Sequence, residues 1–206
     1  MKQDRRAFVD SFQRGLARLA DPRAGAAILI PLVEGPAGLE ILFEVRSPRL
    51  RTQPGEVCCP GGKVELPEGP REAALRETCE ELLVAPGQIE IVGSLGMLMG
   101  PAGLPLYAYV GYLSDYAGTF SADEVEGTFT VPLAWFMAHE PELHDAHLVE
   151  DPPVDFPFDL VPRSSGSDRL RRRFDLPFYR GTDPLVWGAT ARAVHRLTDV
   201  LHAAEG

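Results

Sequence analysis

Apolar and polar positions change period several times along this chain, and each change predicts an element. Over residues 4–20, Phe8, Val9, Phe12, Leu16 and Leu19 recur at helical spacing and predict an amphipathic helix. Residues 24–33 and 39–46 are strand-like runs, separated by Glu34-Gly35-Pro36-Ala37-Gly38, a turn by composition. Residues 51–69, rich in glycine and proline, read as a loop. A charged stretch over 70–83 then predicts a helix, with Pro70 in the first turn, where its missing N–H costs nothing. Further strands are expected over 88–99, 106–113 and 125–131, with a short helix over 132–138. Residues 140–167 read as a long loop with little regular structure, 173–179 as a late strand and 184–204 as a terminal helix. No internal repeat or sharp linker divides the chain. The expectation is one domain over 1–206, with an N-terminal helix and a C-terminal helical extension. The order of strands and helices suits an α+β or α/β sandwich, and periodicity alone does not choose between them.

Composition narrows the partners. The chain has 206 residues, 45% of them hydrophobic and 24% charged, which is enough for a full core and implies no long disordered tract. A net charge of −10 argues against a nonspecific nucleic-acid binder, which needs a basic surface to displace counterions. An acidic protein still binds an anionic substrate if divalent cations and a few arginines mediate the contact. No apolar run reaches the roughly 18 residues of a membrane span, and the start, Met1-Lys2-Gln3-Asp4-Arg5-Arg6, leads into an amphipathic segment rather than a signal-peptide core. Three cysteines, with Cys58 and Cys59 adjacent, fit reduced thiols and a cytoplasmic location better than a disulfide framework. A homodimer is compatible with all of this.

The chemistry concentrates between Gly62 and Glu81. If residues 70–83 form a helix, Glu77 and Glu81 lie four apart on one face and Glu80 lies close beside them. Such a face is either a solvated acidic surface or a site for a hard divalent cation, whose ligands are oxygens. The wider string decides between them. Gly62, Glu68, Arg76, Glu77, Glu80, Glu81 and Val84 match in register the pattern Gly-x5-Glu-x7-Arg-Glu-U-x-Glu-Glu-x-Gly-U, where U is bulky and apolar. On these residues the chain resembles the Nudix hydrolases. Thr78 departs from an apolar position, and Leu83 stands where the pattern has glycine, the easy left-handed cap. The resemblance implies the Nudix fold, a mixed sheet sandwiched between helices. It also implies Mg²⁺ or Mn²⁺ held by Glu77, Glu81 and Glu80 with the Gly61 carbonyl, and Arg76 orienting the site through Glu68.

A second string lies upstream: Arg46-Ser47, Arg51, Gly55, then Pro60-Gly61-Gly62. It is similar to the motif of the coenzyme A diphosphatase branch, Leu-Leu-Thr-x-Arg-Ser-x3-Arg-x3-Gly-x3-Phe-Pro-Gly-Gly. Leu42 matches its opening, Glu44 replaces the threonine and Cys59 the phenylalanine. The segment Val186-Trp187-Gly188-Ala189-Thr190-Ala191-Arg192 also resembles that branch's C-terminal helix. Arginines give a diphosphate planar, permanently charged donors, so Arg46 and Arg51 are candidate substrate contacts; surface charge is the plain alternative. The resemblance implies a further carboxylate near the start of the 125–131 strand, for which Glu124 and Glu126 are candidates; surface charge is the plain alternative. The cluster Arg169, Arg171, Arg172 and Arg173 reads as a solvated hairpin more readily than as a phosphate site, and His144 and His147 as exposed loop residues.

The expected function is hydrolysis of a diphosphate bond in a nucleoside diphosphate derivative, coenzyme A or an acyl-CoA foremost, giving 3′,5′-ADP and 4′-phosphopantetheine in the coenzyme A case. ADP-ribose or a dinucleotide polyphosphate is the alternative substrate. A noncatalytic nucleotide-binding module fits less well, because all four carboxylates of the pattern are present.

Overall fold

The structure, a computed structural model, describes residues 25–36, 38–100, 103–149, 155 and 171–205. The helix expected over 4–20 lies outside them. Strands β1 (Ala26–Gly35), β2 (Gly38–Arg46), β3 (Val57–Cys58), β4 (Gly61–Lys63), β5 (Ile89–Met99), β6 (Pro105–Leu113) and β7 (Val125–Pro132) form one sheet of order β3-β2-β1-β6-β5, with β4 also on β1 and β7 on β2. The sheet is mixed: β1 and β6 run parallel, whereas β1 and β2, for example, are antiparallel. Among the described residues three α-helices stand in chain order, α1 (Pro70–Leu82), α2 (Leu133–Ala138) and α3 (Gly188–Glu205).

Strand periodicity sets the layers. Ile28, Ile30 and Leu32 of β1, with Ile41, Phe43 and Val45 of β2, face α2 and α3, where Phe136, Val194 and Leu197 complete the main core. The alternate positions turn the other way. Ala27 meets Val64, Ala73 and Ala74, and Leu42 meets Leu82 and Val84. The small side chains of Ala73 and Ala74, both without exposed surface, let α1 lie close on the sheet. The sheet is thus sandwiched between α1 on one side and α2 and α3 on the other, as the resemblance implies.

A second, three-stranded antiparallel sheet holds β8 (Glu142–Val149), β9 (Arg171–Tyr179) and β10 (Val186–Trp187) in the order β10-β9-β8. Three expectations are corrected here. Residues 140–167 are not a featureless loop: β8 occupies 142–149, and His144 and His147 are strand residues. It escapes a hydrophobic reading because most of its side chains are solvated and its stability comes from pairing with β9. The stretch 51–69 contains β3 and β4, too short for any period to show. The last helix begins at Gly188, after β10, rather than near residue 184.

Candidate active site

Helix α1 begins as its sequence demands. Gly69 is the extended N-cap, Pro70 follows in the first turn and Glu72 lies in that turn. At the other end Leu83 adopts the left-handed conformation that the pattern assigns to glycine, with φ 54° and ψ 46°. The Leu83 and Val84 amides both donate to the Cys79 carbonyl, so the helix closes normally. Thr78, the other departure, is buried and donates its hydroxyl to the Ala74 carbonyl at 2.7 Å.

Glu77 and Glu81 project from this helix toward Gly61 and Gly62 of β4. The Gly61 amide donates to Glu81 Oε2 at 2.7 Å. A Cβ on Gly62 would lie 2.3 Å from Glu77 Oε1, so glycine here leaves that carboxylate where it stands and a larger residue would displace it. The loop before β7 supplies a third acid. The Ser121 amide donates to the Glu81 carbonyl, the Glu124 amide to Ser121, and the Ser47 amide to the Glu124 carbonyl, which ties that loop to both α1 and β2. Carboxylate oxygens of Glu77, Glu81 and Glu124 lie within 4.8 Å of one another. Glu126, Glu80 and Glu44 are not in this group.

Arg76 gathers the remaining carboxylates of the pattern. Its guanidinium forms a two-pronged pair with Glu68, at 2.7 and 3.0 Å, and meets Glu77 at 3.0 Å and Glu80 at 3.1 Å. Glu80 therefore sits on the solvent side of α1, beside Arg76, while its neighbour Glu81 is buried.

Electrostatics follow the same division. The Arg76 hydrogen bonds hold Glu68 below the usual carboxylate range. Burial raises Glu77 against the pull of Arg76. Burial, and next the charge of Glu44, push Glu81 up to about 9. Glu44, buried on β2, is pushed up to about 7 chiefly by burial. Close-set carboxyls in this state hold protons unless a cation neutralises them. All the donors are hard oxygens, and the set fits Mg²⁺ or Mn²⁺.

A cavity of about 510 Å³ opens at these acids. Its lining includes Arg46, Cys58, Glu77, Glu81 and Glu124 together with Leu148, Phe174, Leu176, Trp187 and Arg192 from the second sheet and α3. Arg46 is thus at the site, with its Nε–H directed to the Thr52 carbonyl at 3.5 Å. Arg51 is exposed and outside the cavity lining. Arg173 is taken up by Asp145 across the β8–β9 pair at 2.6 Å, while Arg169 and the side chains of Arg171 and Arg172 lie outside the described residues. Sequence reasoning read Glu44 only as a departure from the branch motif, whereas the structure buries it on β2. Its signal was a lone carboxylate inside the apolar run Ile41-Leu42-Phe43-Glu44-Val45.

A three-layer fold, a Gly-Gly strand and an acidic helix facing it define a class, and the NUDIX domain model matches residues 22–154: the chain belongs to the Nudix family. Among its relatives, the peroxisomal coenzyme A diphosphatase NUDT7 of Mus musculus is 37% identical over 113 residues, covering 54% of this chain and 48% of that protein. The uncharacterized Nudix hydrolase NudL of Escherichia coli K12 is 31% identical over 174 residues, covering 84% of this chain and 80% of NudL. The chain spans about half the length of the curated relatives it matches at 37% identity, 48–57% of each. In fold it is similar to a MutT/nudix family protein from Enterococcus faecalis, with a TM-score of 0.50 at 15% identity, over 94% of this chain and 69% of that one. No helix among the described residues is long and apolar enough to cross a membrane.

Proposed function

We propose that this chain hydrolyses the diphosphate bond of a nucleoside diphosphate joined to another moiety, coenzyme A or an acyl-CoA foremost. The observation that carries the reading is the cavity itself. The cavity is lined both by three clustered carboxylates and Arg46 and by apolar side chains with Arg192. A substrate that is charged in its middle and extended beyond it matches that lining. The second motif and the name of the mouse relative point the same way.

Glu77, Glu81 and Glu124 would hold the cations, with the Gly61 carbonyl as a further oxygen and Glu80 at the solvent edge. Bound there, Mg²⁺ or Mn²⁺ would neutralise the diphosphate and acidify the attacking water. A carboxylate of this set takes the proton of that water, a contribution of ~10²–10⁴-fold in rate. Arg76 keeps Glu68, Glu77 and Glu80 in place rather than touching substrate. Arg46 offers the diphosphate a planar donor pair, and Arg51 reaches it only from the exposed loop.

The test is a panel of diphosphates (coenzyme A, acyl-CoA, ADP-ribose, dinucleotide polyphosphates) with Mg²⁺ or Mn²⁺, read by product identification. Coenzyme A cleaved to 3′,5′-ADP and 4′-phosphopantetheine, with the highest kcat/KM of the panel, is expected. Preference for ADP-ribose would retain the site and overturn the substrate.

A further inference from the structure

Glu44 stands where the branch motif has threonine, and it has no exposed surface. Its Oε1 accepts a hydrogen bond from the Cys58 thiol at 3.2 Å. Its Oε2 has no hydrogen-bond partner among the described residues. Burying an unpaired carboxylate oxygen is costly, and proteins accept that cost chiefly where a partner charge or a metal ion completes the arrangement.

The fold shows which way Glu44 faces. Leu42, two residues earlier on β2, packs on Leu82 and Val84, so this face of the strand meets the C-terminal end of α1, where Glu81 sits. Register places Glu44 opposite Cys58 on β3 and opposite Thr128 on β7. Cys58 in turn lines the cavity with Glu77, Glu81 and Glu124. The thiol is the donor in its hydrogen bond to Glu44, so its sulfur is engaged with Glu44 Oε1.

We propose that Glu44 is a fourth carboxylate of the cation site, offering Oε2 from the β2 side while Cys58 fixes Oε1. The inference rests on reading Glu77, Glu81 and Glu124 as cation ligands. It adds a donor that the acidic helix pattern does not contain. Cys58 is a positioning residue in this arrangement, since it acts only through Glu44.

Mn²⁺ binding to the full chain, without substrate, tests it by the paramagnetic resonance signal of free Mn²⁺. Glu44→Gln and Glu44→Thr should lose one bound ion or weaken binding at least ~10-fold, and Cys58→Ala should keep the ion count and weaken binding ~10-fold or less. Glu81→Gln is the control for the parent reading. If Glu81→Gln loses Mn²⁺ while both Glu44 variants bind as wild type, Glu44 is a buried acid outside the cation site and the inference is overturned. If Glu81→Gln also binds as wild type, the cation-site reading itself fails. Should Glu44→Gln and Glu44→Thr not fold, Glu44→Asp decides: it keeps the charge but withdraws the oxygen by one methylene. Weaker Mn²⁺ binding in that variant supports the assignment, and wild-type binding overturns it.

Discussion

Leu83 holds a left-handed backbone conformation that glycine adopts without penalty, and its side chain is 59% exposed. The backbone cost is therefore repaid by little burial. Leu83→Gly should raise stability by about 1 kcal/mol, or 2–4 °C in melting temperature, with unchanged activity. Cys59 shows the opposite case. Its sequence position invites a comparison with the phenylalanine of the branch motif, but the thiol is 2% exposed and packed in the main core. Cys59→Phe should cost ~1–3 kcal/mol by overpacking, read as a lower melting temperature. A stable Cys59→Phe protein with altered substrate preference would contradict that placement. For the clustered acids, Glu77→Gln and Glu81→Gln remove charge and keep shape, so turnover at saturating Mg²⁺ should fall at least ~10²-fold while the fold persists.

Between elements, the close approach of β4 to α1 fixes the site. Gly62 has no room for a methyl group beside the Glu77 carboxylate. Gly62→Ala should push that carboxylate aside and lower kcat by ~10²-fold, the usual cost of displacing a reacting group by about 1 Å. A wild-type kcat in this variant would mean that Glu77 moves freely without consequence. The end of β2 supplies Arg46, just past an irregularity in its pairing with β7 between Val45 and Arg46. Arg46→Lys keeps the charge but loses the planar fork, so KM for coenzyme A should rise while kcat holds. The elements most legible in the sequence were those with long runs, such as β1, β6 and α1. Strand β8 was not, because its exposed alternation, with Leu143 and Val149 partly in solvent, differs little from a polar loop until β9 pairs with it.

At the scale of the whole molecule, the buried acids link stability to pH and to cations. Glu81 titrates at about 9 in the fold against an ordinary value of 4.5, and Glu44 at about 7. Both pKa values are raised, so the folded state binds protons more tightly than the unfolded one. As far as these two groups are concerned, stability of the cation-free protein is full below about pH 4.5 and is lost as pH rises through about 7 for Glu44 and about 9 for Glu81. Melting in EDTA should therefore fall between those limits, and added Mn²⁺ should flatten the decline by replacing the protons. A melting temperature in EDTA that is flat across this range would show that the two carboxyls do not carry these protons. Opposing stability contributions from other groups would be exposed by repeating the series with Glu81→Gln.

The sequence by itself determined the acidic helix, its family and its register, because fixed spacings of charged residues on one helix face survive without tertiary information. It also placed Arg76 with Glu68, a pair eight residues apart that the helix start brings together. Tertiary structure decided the rest. Glu80 and Glu81 are adjacent in sequence, yet one pairs with Arg76 at the surface and the other is buried against Gly61, because successive helix positions point about 100° apart. Glu124 joins Glu77 and Glu81 only because the loop before β7 hydrogen-bonds to α1 and β2. Glu44 reads in the sequence as a simple departure from a motif; strand alternation turns it away from the main core and onto the face of β2 that meets α1. Local spacing specifies which groups are available; which of them meet depends on contacts between residues far apart in the chain.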